Sequence, residues 1–422
     1  MIILIDLDGT LTDTAHEKYK PYKDGLEETD LAIIPLISGA KEFVEKLQSN
    51  GHKPIIISDS HPRYVNKIAN NIFKIPALSL ADKPNPTKTA NYLQTALNGE
   101  ATKENTIVIG DTWLDIEMGR ALNYSTILTN FYTATSEENR DGIGQDWKHL
   151  KSGATYFVNK FDEIHEILLN PLQNLLAVEG IFQGNDTTKA VRFKTTKYPE
   201  RFIAYRTLGR QQAGECDRFA VADKYFEFQR ADRTQETLIK LGKATSNFLS
   251  FVQQSMPSVT WDYFTFVSDK KTSQPANKLS ELFALIETAI PKQNFIRWTD
   301  EIDGSIRNQK DYKSRKEFVD KHIFLSNDQE LQGKNVIILD DQFTTGGTAY
   351  SICGKFIEKG VKNILFVTLF YLITTVESER VCPHCGTKLQ VKVNRNKGTR
   401  FLSCVPQKFG GKGCGNFIEN IV

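Results

Sequence analysis

Short runs of apolar, often β-branched residues recur along the chain, separated by longer segments whose apolar residues repeat with helical spacing. Strands are predicted at Ile2 to Ile5, Ile55 to Ser58, Ile107 to Gly110, Thr155 to Val158, Tyr263 to Val267, Val336 to Leu339 and Ile364 to Phe370. Several of these runs are apolar at successive positions and do not alternate, the pattern of strands buried on both faces of a parallel sheet. Helices are predicted at Gly39 to Ser49, in the segment ending at Leu169, and at Thr234 to Gln254, Asn277 to Ala289 and Ala349 to Lys359. In the third of these Leu238, Leu241, Phe248 and Leu249 share one face. The alternation predicts an α/β protein with right-handed crossovers.

Punctuation divides this pattern. Asn170-Pro171 breaks the chain after an amphipathic helix, and the residues from Val381 onward change character, so domains are expected at 1–171, 172–378 and 379–422. The polar stretch Thr133 to Lys151 reads as a surface loop of the first domain. Leu172 to Met256 is the least informative region: it holds β-like runs such as Val191-Arg192-Phe193 and a basic segment, Tyr205 to Arg210, that reads as an edge hairpin with solvated arginines.

Composition narrows the class. A chain of 422 residues, 40% hydrophobic and 25% charged, can bury a large core and is not disordered. The formal net charge of +2 gives no global electrostatic case for nucleic acid or membrane. Met1 leads directly into a strand with no signal peptide, and no run approaches the roughly 18 apolar residues that span a bilayer, so a soluble cytoplasmic protein is expected. Of six cysteines, four lie in the tail with metal-like spacing, leaving Cys216 and Cys353 isolated and indicating no disulfide framework.

The first strand ends in Asp6-Leu7-Asp8-Gly9-Thr10, paired carboxylates at the edge where open α/β sheets place ligands. One carboxylate can attack phosphorus while the other handles protons. Ser58 ends the next strand, Lys83 follows in a loop, and Asp111 precedes Asp115 by four residues. In this order the segments resemble the motifs of the haloacid dehalogenase (HAD) superfamily, whose first motif reads DxDGT. The resemblance implies a Rossmann-like domain with Asp6 as nucleophile, Asp8 as acid and base, and Thr10, Ser58 and Lys83 on the phosphoryl oxygens. Mg²⁺ would be held by Asp6, the Asp8 carbonyl and Asp111, with Asp115 as a further ligand or support. Aspartate at the acid/base position points to a phosphatase. Only 11–38 and 58–83 are left for a cap, which implies an open site suited to a bulky substrate such as a nucleotide or a polymer end.

A second acidic strand end lies in NVIILDDQFTTGGT, Asn335 to Thr348. Backbone N–H groups threaded by Gly346 and Gly347, threonine hydroxyls and a helix N-terminus form a phosphate cradle, while Asp340 and Asp341 suit the two hydroxyls of a ribose. The run resembles the phosphoribosyl-diphosphate (PRPP) signature of type I phosphoribosyltransferases, which implies that Asp340 and Asp341 hold the ribose and that Thr344, Thr345, Gly346, Gly347 and Thr348 hold the 5-phosphate. By the same resemblance, part of 172–256 would be a hood over the acceptor, Ser268 to Lys271 a loop gripping diphosphate, and Asp311 to Lys316 a mobile basic loop; Gln309 and Arg315 are similar to a pattern in competence-type members.

The tail reads Cys382-x2-Cys385-x18-Cys404-x9-Cys414, a four-thiolate set suited to tetrahedral Zn²⁺, with hairpin strands expected at Leu389 to Val393 and Arg400 to Leu402. It resembles topoisomerase-type zinc ribbons, although the second cysteine pair is more widely spaced. Lys388, Lys392, Arg395, Lys397, Arg400, Lys408, Phe401 and Phe409 would suit nucleic acid, with a purely structural zinc favoured. Together these features imply a bifunctional Mg²⁺-dependent phosphatase and PRPP-dependent transferase of nucleotide or nucleobase metabolism, acting on small molecules. The alternative is a nucleic-acid-associated defence or regulatory protein that senses nucleotides.

Overall fold

A computed structural model of the protein describes residues 1–131, 146–193, 196–198, 201–211, 219–269, 278–302, 309, 312–326, 328–344, 346–374, 377–393, 400–406 and 412–420. The chain divides into two compact units, Met1–Pro171 with Gln212–Ala220 and Ile373–Val422, and Leu172–Gln211 with Val221–Leu372.

The first unit begins with β1 (Ile2–Ile5), α1 (Lys20–Lys23), α2 (Ala40–Ser49), β2 (Lys53–Ile57), α3 (Pro62–Ile68), β3 (Ala77–Leu78), α4 (Thr87–Ala96), β4 (Thr106–Gly110), α5 (Trp113–Ala121), β5 (Ser125–Thr129), α6 (Asp146–Lys151), β6 (Tyr156–Val158) and α7 (Phe161–Leu169). Its strands form a six-stranded parallel sheet in the order β3-β2-β1-β4-β5-β6. All four residues of β1 are buried, as the unbroken apolar run requires of a central strand. The order places the C-terminal ends of β1, β2 and β4 side by side, so Asp6, Ser58 and Asp111 emerge at one edge. The expected loop over Thr133 to Lys151 is corrected at its end, where 146–151 forms α6 with Leu150 buried; positions 133–145 lie outside the described residues.

Helix α5 is tied to a distant segment. Arg120 is fully buried and donates to the Ser152 carbonyl at 2.5 Å and the Thr374 carbonyl at 2.7 Å, and the Thr374 hydroxyl donates to Glu117 at 2.7 Å. Thr374 N–H closes on the Lys151 carbonyl at 2.8 Å. A guanidinium in the interior needs several acceptors, and carbonyls separated by more than 200 residues in sequence supply them here.

The second unit contains α8 (Ala177–Phe182), β7 (Val191–Arg192), β8 (Thr196–Tyr198), β9 (Arg201–Thr207), β10 (Arg210–Gln211), α9 (Ala222–Phe228), α10 (Gln235–Ser255), β11 (Tyr263–Phe266), α11 (Lys278–Leu285), β12 (Ile296–Trp298), α12 (Tyr312–His322), β13 (Ile323–Leu325), β14 (Asn335–Phe343), α13 (Gly347–Glu358) and β15 (Asn363–Leu372). Its main sheet runs β11-β14-β15-β9-β7, with β10 on β15 and β8 on β9. The contacts of β11, β14, β15, β9 and β10 are parallel, and β7 and β8 join β9 antiparallel. A short antiparallel pair, β12 with β13, lies apart from it.

Three expectations change in this unit. Strand β14 does not stop at Leu339: it pairs with β15 as far as Phe343 opposite Tyr371, so Asp340 and Asp341 lie within the strand. The segment expected as a mobile basic loop is helical from Tyr312, and Lys270, Lys271 and Asp311 lie outside the described residues. Arg210 is not solvated but fully buried, and so is its partner Glu179. The two form a forked pair, Nε to Oε1 at 2.7 Å and Nη2 to Oε2 at 2.8 Å, and the same Oε1 accepts the Arg210 N–H at 3.2 Å. Arg206 stays partly buried, and burial together with Arg192 pulls its guanidinium down to about 10.

The C-terminal residues add β16 (Glu377–Val381), β17 (Lys388–Val393), β18 (Arg400–Ser403) and β19 (Ile418–Asn420), an antiparallel sheet in that order. Among the described residues no helix is long and apolar enough to cross a membrane.

Breaking the Arg210–Glu179 pair on one side strands a buried charge, which costs about 3 to 5 kcal/mol. Arg210→Met is therefore expected to lower the unfolding midpoint of the full chain sharply in denaturant titrations. Glu179→Leu combined with Arg210→Met is expected to recover most of the loss. Equal stability of Arg210→Met and the wild type would refute this role.

Candidate functional site

In the first unit the acids converge at the sheet edge. Carboxylate oxygens of Asp6, Asp111 and Asp115 all lie within 4.8 Å of one another, and all three residues are buried. Lys83 reaches in from the loop after β3, its Nζ 2.6 Å from Asp6 Oδ1 and 2.5 Å from Asp115 Oδ1. Burial pulls the Lys83 ammonium down, but Asp115 and Asp6 outweigh it and raise it. Burial, then the charge of Asp115, pushes the Asp6 carboxyl well above the usual carboxylate range, against the pull of Lys83. Three carboxylates around one ammonium leave a formal surplus of two negative charges, which a divalent cation would balance. Buried oxygen donors of this kind suit Mg²⁺, and Mg²⁺ fits the residues present.

Local sequence explains the placement. Gly110 ends β4 because a Cβ there would lie 2.3 Å from the Asp115 carboxyl. Asp115 is the third residue of α5 and closes a capping box with Thr112, accepting from its hydroxyl at 2.8 Å and its N–H at 3.2 Å. One oxygen of Asp115 therefore caps the helix while the other meets Lys83. Asp59 accepts the backbone N–H of Lys83 at 2.9 Å.

Asp8 faces another environment. Its carboxylate is not among the clustered oxygens and accepts from four hydroxyls: Thr14 at 2.7 Å, Ser60 at 2.8 Å, Tyr64 at 2.9 Å and Ser58 at 3.4 Å. Thr10 is fully buried, as is the Ser58 side chain apart from 1% of its surface. Thr14, Ser60 and Tyr64 were not among the residues singled out from sequence. Their nearest signal is the run Ser58-x-Ser60-x3-Tyr64, which sets a hydroxyl on the first turn of α3 beside one from the strand end.

In the second unit Asp340 is buried and Asp341 half-buried. Burial, then the neighbouring Asp341 charge, raises the Asp340 carboxyl well above the usual range, and its Oδ1 accepts the Asp341 N–H at 2.8 Å. Asp341 is met by Lys278 of α11 and by Gln229 Nε2 at 2.9 Å, and Lys278 also donates to Gln229 Oε1 at 2.7 Å. Sequence reading missed both partners, because Lys278 and Gln229 lie in segments with no recognisable spacing to the acids. Gly346 takes a left-handed conformation (φ +81°) as N-cap of α13, whose first turn holds Gly347 and Thr348. A side chain there would collide with Tyr350 as well as strain the backbone. Thr344 accepts from Arg315, whose Nε donates to the Gln309 carbonyl at 3.0 Å; Thr345 lies outside the described residues.

The tail brings Cys382, Cys385, Cys404 and Cys414 together with all four sulfurs within 4.8 Å. Contacts of 3.8 Å (Cys382–Cys414), 3.5 Å (Cys385–Cys404) and 3.7 Å (Cys404–Cys414) match the edge of about 3.8 Å that Zn–S bonds of about 2.3 Å give a tetrahedron. Arg395, Lys397, Lys408 and Phe409 lie outside the described residues.

Comparison with known proteins bears on the first unit. The family model of haloacid dehalogenase-like hydrolases matches residues 15–123, a span that opens just after Asp6 and Asp8 and includes Ser58, Lys83, Asp111 and Asp115. Residues 15–123 thus carry a haloacid dehalogenase-like hydrolase domain, resting on an α/β parallel sheet. Among solved structures, a predicted phosphatase from Clostridium acetobutylicum is similar at 20% identity and TM-score 0.30, covering 40% of this chain and 97% of its own. A predicted phosphoglycolate phosphatase from Haemophilus somnus is similar at 15% identity and TM-score 0.30, with 40% and 97% covered. A hydrolase from Pseudomonas syringae is similar at 18% identity and TM-score 0.30, again with 40% and 97% covered. No curated protein matches the chain.

Proposed function

We propose that the first unit is a Mg²⁺-dependent phosphohydrolase acting through an aspartyl-phosphate on Asp6. The observation that carries this reading is the division of labour between the two acids of the first motif: Asp6 joins the Lys83 and Asp111 cluster, while Asp8, two residues on, is withdrawn among hydroxyls. Asp6 attacks phosphorus, the ester P–O bond breaks, and the leaving oxygen takes a proton from Asp8. Asp8 then takes a proton from water, whose oxygen attacks phosphorus and frees Asp6 and inorganic phosphate. Lys83, Ser58 and Thr10 bear on the phosphoryl oxygens, and Asp6, the Asp8 carbonyl and Asp111 would hold Mg²⁺, with Asp115 in support. The bound ion would supply charge neutralisation at the transferring group.

For the remainder of the chain we read 172–378 as a PRPP-dependent phosphoribosyltransferase and 379–422 as a structural zinc ribbon, acting in nucleotide or nucleobase metabolism in the cytoplasm, where thiolates stay reduced. What supports the transferase is an acid pair on β14, Asp340 buried and Asp341 half-buried, followed by a left-handed glycine and a helix N-terminus, features that suit a ribose diol and its phosphate. No nucleophile of the protein is required, since displacement at C1 depends on positioning and on stabilising the departing diphosphate.

Asp6→Asn is expected to abolish Mg²⁺-dependent phosphate release from small phosphoesters while leaving PRPP binding intact. Turnover at the wild-type rate would end the assignment of Asp6 as nucleophile.

Asp341→Asn keeps the shape and removes a charge-assisted acceptor worth about 1.5 to 3 kcal/mol, so PRPP binding is expected to weaken about tenfold to a hundredfold in calorimetric titration. A wild type that does not bind PRPP would remove the transferase reading.

One Zn²⁺ per chain is expected by elemental analysis. Cys404→Ser should lose it and unfold the tail, leaving the two sheets' melting transition in place. Metal-free protein purified under reducing conditions would contradict a zinc site.

A further inference from the structure

The carboxylate of Asp8 meets different neighbours on its two oxygens. Oδ1 accepts from Thr14 at 2.7 Å and from Tyr64 at 2.9 Å, while Oδ2 accepts from Ser60 at 2.8 Å and from Ser58 at 3.4 Å. Thr14 and Tyr64 are both fully buried, and their hydroxyls are joined at 3.2 Å. Thr14, its own proton given to Oδ1, accepts from Thr12 at 2.8 Å, and the Thr12 N–H donates to the Leu7 carbonyl at 2.9 Å. The Oδ1 side is therefore a buried chain of hydroxyls anchored on the backbone that carries the two acids. The Oδ2 side faces Ser58, the hydroxyl assigned to the phosphoryl group, and part-buried Ser60.

The two sides also differ in freedom. A serine hydroxyl can rotate away when a phosphoryl oxygen arrives, because both its χ1 and its proton are adjustable. The hydroxyl of Tyr64 is placed by a rigid ring packed in the core, and its proton swings only about the C–O bond. A carboxylate gripped on one oxygen by such a donor cannot turn about its own axis without losing that contact.

We propose that Tyr64 is a positioning residue for Asp8: together with Thr14 it fixes Oδ1 and thereby presents Oδ2 as the oxygen that exchanges the proton with leaving group and water. This deepens the phosphohydrolase reading and rests on it. In the first half-reaction the proton passes from Oδ2 to the ester oxygen as the P–O bond breaks. In the second, Oδ2 receives the proton of the attacking water as the Asp6–phosphorus bond breaks. Holding the donor in line is a proximity effect, so its loss falls on the steps that need a proton and spares substrate binding.

The test compares two esters in the full chain. With Tyr64→Phe, kcat/KM on an alkyl phosphate, whose leaving oxygen needs a proton, is expected to fall about tenfold to a hundredfold. On 4-nitrophenyl phosphate, whose leaving group departs without one, the fall in kcat/KM is expected to be much smaller, with the Mg²⁺ requirement unchanged. Thr14→Val should show the same ester-selective loss, and Thr14→Ser, which restores the hydroxyl, should regain the wild-type ratio between esters. Equal losses on both esters, or losses that follow a fall in the folded fraction measured by melting, overturn the proposal and make Tyr64 structural. A wild type that hydrolyses neither ester overturns the phosphohydrolase reading and this assignment with it, whereas ester-independent losses against an active wild type overturn this assignment alone.

Discussion

Three carboxylates whose oxygens lie within 4.8 Å cannot all stay charged and buried without a cation among them, and in the first unit that cation is Lys83. Two like charges about 4 Å apart repel by about 4 kcal/mol even at an effective dielectric of about 20. The sheet accepts this cost because its order brings the ends of β1 and β4 together, and α5 then turns Asp115 back over Gly110. Lys83 offsets one charge only. What remains is a formal surplus of negative charge that a divalent cation would balance.

The strand-end chemistry was legible in the sequence because it is local. An apolar run followed by acids at fixed spacing specifies a parallel strand and what stands at its end, and Asp6, Ser58 and Asp111 sit at neighbouring strand ends, with Lys83 in a loop and Asp115 in the first turn of α5. The four cysteines converge for the same reason, two of them within one turn. What sequence could not show depends on partners far along the chain. Lys278 and Gln229 reach Asp341 from α11 and the end of α9, and Arg120 finds its acceptors at Ser152 and Thr374. Arg210 read as solvated because a basic hairpin normally is; only the fold brings Glu179 against it. Strand β14 ran past its apolar residues because β15 offered continued pairing, and such tertiary support outweighs the low strand preference of two aspartates.

The two metal-type clusters sort by donor chemistry. Buried carboxylate oxygens at the first sheet are hard donors of the kind that suits Mg²⁺. The four sulfurs of the tail form a closed set with no place for substrate, which matches a metal that holds a fold together. Around them Leu389, Leu402 and partly buried Phe417 make a small apolar cluster, too little to hold four strands by burial alone.

The acid pair of β14 lies inside its strand and is held differently from Asp6. Asp6 is opposed by a lysine it shares with Asp115, so a ligand arriving there meets a crowded, charged edge. Asp340 instead turns one oxygen onto the next residue's N–H, and Asp341 is shared between Lys278 and the amide of Gln229. An ionised carboxylate is an acceptor only, with several lone-pair sites that would suit hydroxyl donors. Donors that an anion would need stand one turn further on, where Gly346 opens the N-terminus of α13. Two sheets of similar construction thus differ in what meets their acids: at one an ammonium shared by two carboxylates, at the other an ammonium shared by a carboxylate and an amide, beside a backbone N–H and a helix terminus.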